Sequence, residues 1–159
     1  MYASTGPAVV IPDGRVRVTA LHVAPERHAP MEERTSIEVV AGRGVVGDRW
    51  FGTRHRHVSV QSADALAEAA AELGRDVAPS ATRRTVTVSG GAVPTVPGVR
   101  LRVGEVLLEV VRVAAPCRVM ETSMGPGGAA ALRRRGGSIL RALTSGTIRV
   151  GDEVVQVAG

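Results

Sequence analysis

The feature that most constrains this chain is a pair of valine-rich stretches, each broken by a glycine–acid pair. Val99–Val113 reads VRLRVGEVLLEVVRV and breaks at Gly104-Glu105, and Thr147–Val157 reads TIRVGDEVVQV and breaks at Gly151-Asp152. Valine at a spacing of two suits a pleated surface with one buried face, and a glycine–acid pair between such runs marks a turn. Each stretch therefore reads as two strands, and the two stretches together as two hairpins of one sheet. Two copies are too few for a solenoid. Arg84–Gly90 (RTVTVSG) alternates as cleanly, and Val16–Ala24, Ser36–Val40 and His57–Gln61 read as further strands. Pro25–Arg34 is a polar loop in this reading and Gly42–Asp48 a glycine-rich turn. At least seven strands with little helix predict a mainly β domain with a few short helices, closed or half closed into a barrel.

Aromatic residues make up only 2% of the chain and apolar residues 44%, so the core must be built from Val, Leu, Ile and Ala. A length of 159 residues suits one domain. We place it at residues 15–159, after a weakly ordered lead-in over 1–14 that carries Gly6, Pro7, Pro12 and Gly14. Two helices are expected. Ser62 caps the first, which runs to Leu73 and stops at Gly74. Its Ala-rich side should lie close against a neighbour. Pro116 fits the first position of the second, which ends near Met124 before Gly125.

No apolar run reaches the roughly 18 residues of a membrane span. The N-terminus lacks the charged start and apolar stretch of a signal peptide. One cysteine allows no internal disulfide and fits a cytoplasmic protein. The net charge is +5, and all 20 basic residues are Arg. Nucleic acid is a poor fit to that charge, because a single-strand binder needs aromatic stacking platforms. A small ligand with an anionic group fits better, since Arg binds phosphate in bidentate fashion.

Several residues carry possible chemistry. Cys117, the lone thiol, falls in the first turn of the second expected helix, where free N–H groups favour a thiolate. Arg118 beside it adds positive charge. The alternative is that Cys117 is a small buried hydrophobe. Arg83-Arg84 opens a buried strand, where a charge requires water or an anion. We therefore expect Arg83 to face the Cys117 pocket, with Arg84, Thr85 and the Gly47-Asp48 turn helping to frame an anion site. His55 and His57 sit two apart and would share a strand face able to bind metal. With no third ligand nearby and arginines interleaved, a solvated face is the better reading. Arg133–Arg135 reads as a wet helix end. No carboxylate pair suits glycosidic acid–base work, and neither GxGxxG nor a Walker A motif is present.

Six segments in order resemble one family: GVVGD (Gly44–Asp48), VSVQSADAL (Val58–Leu66), RRTVTVSG (Arg83–Gly90), LRVGEVLLEV (Leu101–Val110), APC (Ala115–Cys117) and GTIRVGDEV (Gly146–Val154). They are similar to the MOSC domain, found at the C-terminus of molybdenum cofactor sulfurases and in the amidoxime-reducing component and its bacterial relatives. The resemblance spans roughly Arg15 to Val157 and implies a MOSC-type β-barrel with a reactive cysteine. In the reductase branch that sulfur is a ligand of molybdenum in the molybdopterin cofactor, which removes oxygen from N-hydroxylated compounds with electrons from a partner protein. In the sulfurase branch the cysteine carries sulfur as a persulfide; a cysteine desulfurase would load it. The pyridoxal phosphate of those sulfurases belongs to a separate domain and is not expected in this chain. The resemblance thus points to Cys117 as metal ligand or sulfur carrier, with Arg83 among the cofactor-binding residues. Where family reductases carry Arg-Pro-Asn, this chain has Arg83-Arg84-Thr85; where they carry Asp-Ala-Ser-Pro, it has Arg54-His55-Arg56-His57. A non-catalytic, Arg-rich binding module is the remaining alternative.

Overall fold

The fold is described from a computed structural model covering residues 15–91, 93–115, 118–133 and 135–158. The expected lead-in over 1–14, Pro116 and Cys117 lie outside the described residues.

Eleven strands and three short α-helices are formed among the described residues. The strands are β1 (Val18–Val23), β2 (Glu32–Arg34), β3 (Ser36–Val40), β4 (Gly44–Val45), β5 (Val58–Ser62), β6 (Val86–Val88), β7 (Arg100–Val103), β8 (Val106–Val113), β9 (Ser138–Ala142), β10 (Gly146–Arg149) and β11 (Val154–Val157). The helices are α1 (Ala63–Leu73), α2 (Arg118–Met124) and α3 (Gly128–Ala131), and a 3-10 turn occupies Pro79–Thr82. The mainly β expectation holds.

Eight strands form one sheet in the order β11-β7-β8-β9-β5-β6-β1-β2. Its two sides come together because Arg17 bridges Glu153. The N–H of Val18 donates to the Asp152 carbonyl, that of Gly151 to Val18 and that of Val154 to Val16, each at 2.8 Å. The chain leading into β1 thus bonds to the chain leading into β11 and curls the sheet toward a barrel, while the later part of β1 pairs with β2. A smaller sheet, β10-β3-β4, adds Ile37, Val39, Val45 and Ile148 to the apolar cluster that also holds the barrel's Leu21, Val60, Val86, Val103, Leu108 and Leu140. Aliphatic side chains fill this core, as the scarcity of aromatics demands.

One strand pair differs from expectation. Thr147–Val157 is not a hairpin: β10 pairs with β3, and β11 with β7. The turn is tight, with the N–H of Arg149 donating to the Asp152 carboxylate at 2.8 Å, but it hands the chain from one sheet to the other. The turns of the two valine-rich stretches stack: Gly104 donates its N–H to the Glu153 carbonyl at 3.0 Å, and a Cβ at Gly104 would collide with the Asp152 carboxylate. β2 emerges from the segment read as loop, with all three residues exposed. β9 has no counterpart in the sequence reading, although it joins β8 to β5 at the middle of the sheet.

β5 is buried at every position. Val58 and Val60 enter the barrel core, while Ser59 and Gln61 meet Thr85 and Thr87 on the opposite face. β5 and β6 are parallel, so a crossover must join them. α1 and the 3-10 turn supply it. The cap on α1 is as expected: the Ser62 hydroxyl accepts the N–H groups of Asp64 and Ala65 at 3.1 and 3.3 Å, and Gly74 ends the helix in the left-handed conformation. Leu66 and Ala69 of α1 pack with Met120, Met124, Ala131 and Leu132 in a second apolar cluster. This helical layer places α2, and with it the chain flanking Cys117, beside the entry to β6.

Candidate functional site

Four segments meet at one end of this layer. The β1–β2 loop brings Arg27 and His28, and the β4–β5 loop brings Arg49, Trp50 and Arg56. The turn into β6 brings Arg83 and Arg84, and Arg112 lies near the end of β8. They line a cavity of about 350 Å³ whose remaining wall is Ala115, Val119 and Met120. Six arginines line this space, and among the described residues no carboxylate does. A second chamber of about 590 Å³ shares Arg27, His28, Arg83 and Val119 and extends past Pro30 to the hydroxyls of Thr122 and Ser123.

The arginines are held differently. Arg84 is only 3% exposed. Its Nε donates to the Gly136 carbonyl at 2.9 Å and a terminal nitrogen to Ala115 at 3.4 Å. It fastens the segment ahead of Cys117 to the start of β9. Arg49 donates to the Asp48 carboxylate at 3.1 Å and to the Arg83 carbonyl at 3.3 Å. Burial pulls Arg49 below its ordinary pKa. Asp48 opposes that pull, and the like charges of Arg83 and Arg56 reinforce it. Arg56 lies over the Trp50 ring, 4.1 Å from its centre, and Arg49 approaches the same ring at 5.3 Å.

Arg83 is the unsatisfied member. One terminal nitrogen of its guanidinium is buried with no hydrogen-bond partner. Its backbone adopts φ of 62°, and His28 adopts φ of 70°. These are the non-glycine residues with left-handed backbone among those described, and both line both chambers. Such a conformation costs an L-residue about 1–2 kcal/mol. Strain of this kind concentrates where a site must hold a side chain in one direction.

The other expected site residues fall as follows. Thr85 is buried and hydrogen-bonds Ser59 across β5 and β6, away from the cavity lining. Asp48 does not line the chamber either. Its carboxylate accepts the N–H groups of Ala24 and Trp50 at 3.1 and 3.3 Å and pairs with Arg49, so it shapes the β4–β5 loop behind the arginines. Gly47, with φ of 85°, turns that loop at the surface. Arg118 opens α2. Cys117 lies outside the described residues, but Ala115 before it and Val119 after it both line the cavity.

His57 corrects the solvated-face reading. It is 2% exposed; its Nδ1 accepts the N–H of Ala142 at 2.9 Å, and its Nε2 lies 2.7 Å from the Thr53 carbonyl. Those partners assign the proton to Nε2. The ring straps the β4–β5 loop onto β9, while His55 is exposed. Among the described residues no group of three His, Cys, Asp or Glu side chains could hold a metal ion.

Arg27, His28, Arg49, Trp50, Arg56 and Arg112 were not among the expected anion-site residues. Their loops carry no spacing that announces a shared cavity; only the excess of Arg over a single loop or strand hinted at it. A separate depression of about 260 Å³ at the start of α1 is lined by Asp64 and Glu68 as well as Arg135. There Arg135 is paired with Glu68 at 3.6 Å and Glu72 at 3.3 Å.

No curated protein matches this chain in sequence. Among solved structures, the YuaD protein of Bacillus subtilis superposes with a TM-score of 0.75 at 20% identity, over 87% of this chain and 93% of that one. YiiM of Geobacillus stearothermophilus gives 0.70 at 16% identity, over 90% of this chain and 75% of that one. YiiM of Escherichia coli gives 0.66 at 17%, over 90% and 70%. At these identities the likeness speaks for the fold. The MOSC domain family matches residues 21–155, nearly the whole described barrel, and the chain belongs to that family.

Proposed function

We propose that this MOSC domain binds a molybdopterin-type molybdenum cofactor, with its phosphate among the cavity arginines and its metal on the Cys117 thiolate. The observation that carries the reading is the cavity itself: six arginines, no lining carboxylate among the described residues, and a buried Arg83 nitrogen without a partner. A phosphate would supply the acceptor that the Arg83 nitrogen lacks. Trp50 and Met120 supply apolar wall for a flat ring. A thiolate is a soft donor suited to a thiophilic metal. The residues therefore fit the group. When bound, it supplies a redox metal able to take oxygen from an N-hydroxylated compound.

The chain's own residues bind and orient. Arg83 and Arg27 hold the anionic end. Arg49, fixed by Asp48, supports Arg83 through its carbonyl. Arg84 is a positioning residue that acts through Ala115 on the cysteine segment. In this reading an electron-transfer protein is the partner and the protein works in the cytoplasm, a setting that a single cysteine suits. No helix of the described residues is long and apolar enough to cross a membrane.

The test is elemental analysis of protein made in a host that supplies the cofactor. We expect about one molybdenum per chain, one soft-donor site being present, and its loss in Cys117→Ser. The contrary result is protein without molybdenum that gains one sulfur atom, by intact mass, on incubation with a cysteine desulfurase and cysteine. A persulfide carrier without metal would then replace this reading.

A further inference from the structure

The arginines gather where the chain enters β6, and a different cavity opens where it leaves. Val88 and Ser89 line this one, with Val60 of β5, Leu101 of β7 and Val154 of β11. Its volume is about 160 Å³. Val60, Val88 and Leu101 are buried in the barrel core, while Val16, Val93 and Val154 pack against that core and are only partly buried. Among the described residues no charged side chain lines the space. The Ser89 hydroxyl is already engaged, accepting the Arg17 N–H at 2.9 Å. An aliphatic cavity of about 150 Å³ stays dry and admits a benzene-sized group. A mouth of this size and chemistry suits one branched apolar side chain.

The chain enters the barrel beside that mouth. Val16 lines the cavity, and one residue earlier Arg15 pairs with Glu153 at 2.7 Å, which holds the entry against the start of β11. Residues 1–14 lie outside the described residues. Their sequence carries an apolar run, Val9-Val10-Ile11, followed by Pro12-Asp13-Gly14. Pro-Asp-Gly between two apolar runs is turn chemistry, with proline suited to the second turn position and glycine to the fourth. A turn of that kind keeps the Cα atoms of residues 11 and 14 within about 7 Å, and the two residues from Gly14 to Val16 add about 7 Å. Ile11 is therefore within reach of the cavity. The neighbouring backbone is not open to a further strand. Arg17 donates to Ser89 Oγ and accepts from the Ser89 N–H, and Val18 exchanges bonds with Asp152 and Gly151. An apolar run returning here can bind only through its side chains.

We propose that Ile11 seats in this cavity, with Val9 at its rim, so that the chain's own lead-in closes the mouth of the barrel. In an extended run alternate residues share a face, so Val9 and Ile11 point inward and Val10 outward. The lead-in, expected to be weakly ordered, then has one anchored point. The seat shares no described lining residue with the arginine cavity, so the cofactor reading and this one stand or fall separately.

Methyl-labelled full chain tests this by nuclear magnetic resonance. The Ile11 methyl signals, identified by their loss in Ile11→Ser, should show Overhauser contacts to the methyls of Val88 and Leu101. Benzene is the second probe, followed through the Leu101 methyl shifts. Ile11→Ser changes a residue ahead of the barrel and should bind benzene at least about tenfold more tightly than wild type, as expected when the cavity is open in the wild type for roughly a tenth of the time or less. Val10→Ser should leave benzene binding as in wild type. Absence of the contacts, equal or absent benzene binding in wild type and Ile11→Ser, or the same gain from Val10→Ser would overturn the proposal. So would contacts that arise only between differently labelled copies, which would give the cavity to a second chain.

Discussion

Arg84→Met is the most informative single change, because it removes a guanidinium while keeping an unbranched apolar stem. The buried cation has a 2.9 Å bond to the Gly136 carbonyl and a longer one, 3.4 Å, to Ala115. A hydrogen bond from a charged donor contributes about 1.5–3 kcal/mol. The longer bond sits at the edge of useful geometry and adds little. The Gly136 carbonyl loses its partner, and relief from burying a charge offsets part of that loss. The net expectation is a loss of about 2–3 kcal/mol. For a chain of this size that lowers the melting temperature by about 4–12 °C. The loss should also be local. Ala114 donates its N–H to Gly137 at 2.8 Å beside this anchor, so its amide should exchange faster while β5 and β6 stay protected. Arg84→Lys should not restore the wild-type melt, because one ammonium cannot reproduce the planar fork. A melting temperature within 1 °C or so of wild type, or uniform exchange across the barrel, would refute the anchoring role.

His57→Phe keeps a flat ring but orphans the Ala142 N–H and the Thr53 carbonyl; at about 1–3 kcal/mol each, denaturant melts should show a loss of several kcal/mol. His22 is buried with an unpartnered Nδ1, and burial holds its pKa below the ordinary value against the pull of Glu33. The folded state therefore binds fewer protons than the unfolded one below about pH 6.5. Stability should fall as pH drops through that range and level off below the folded value, and His22→Gln should flatten the slope in urea melts. Glu121 accepts the N–H groups of Ala129 and Gly127 at 2.8 and 3.0 Å, which hold its carboxyl below the ordinary range. Its contribution is present above the unfolded value and lost as pH falls through the folded one, so Glu121→Gln should weaken α3 at neutral pH, read as faster exchange at Ala131 and Leu132.

What the sequence made legible was what depends on neighbours in sequence. Ser62 and Gly74 bound α1 because a cap acts within one turn. Ser36–Val40 alternates because one face of β3 is core and the other is solvent. β9 was missed because SILRA shows no such alternation; it is buried on both faces except at Arg141, and a short apolar run of that kind has no period to read. Its position also depends on Gly137, where a Cβ would strike the Val60 carbonyl, a contact between residues far apart in the chain. The site divided in the same way. Arg83 was marked by a charge opening an apolar strand. Arg27, Arg49 and Arg112 lie in segments where an arginine needs no explanation until the fold brings them together. His57 was read as exposed because arginines are interleaved with it and no third ligand lies nearby, whereas a strap onto β9 fixes the ring.

The cavity works against the stability of the empty protein and is retained nonetheless. Two left-handed non-glycine residues cost about 1–2 kcal/mol each, and Arg83 and Arg56 each repel Arg49. The fold around them is arranged to bear this cost. Asp48 is nearly fully buried behind Arg49 and bonded to two backbone N–H groups, so it holds the β4–β5 loop without entering the chamber. A carboxylate placed in the lining would have relieved the repulsion more directly and filled the anion's place. Its position one layer back keeps the arginines fixed and leaves their charge directed at the cavity. On the proposed reading ligand binding is a source of stability, because an anion would meet donors that are already oriented and lose little freedom on binding. On that reading, the Arg83 nitrogen without a partner is the place for a bound anion, whose acceptors would offset the desolvation cost of that donor.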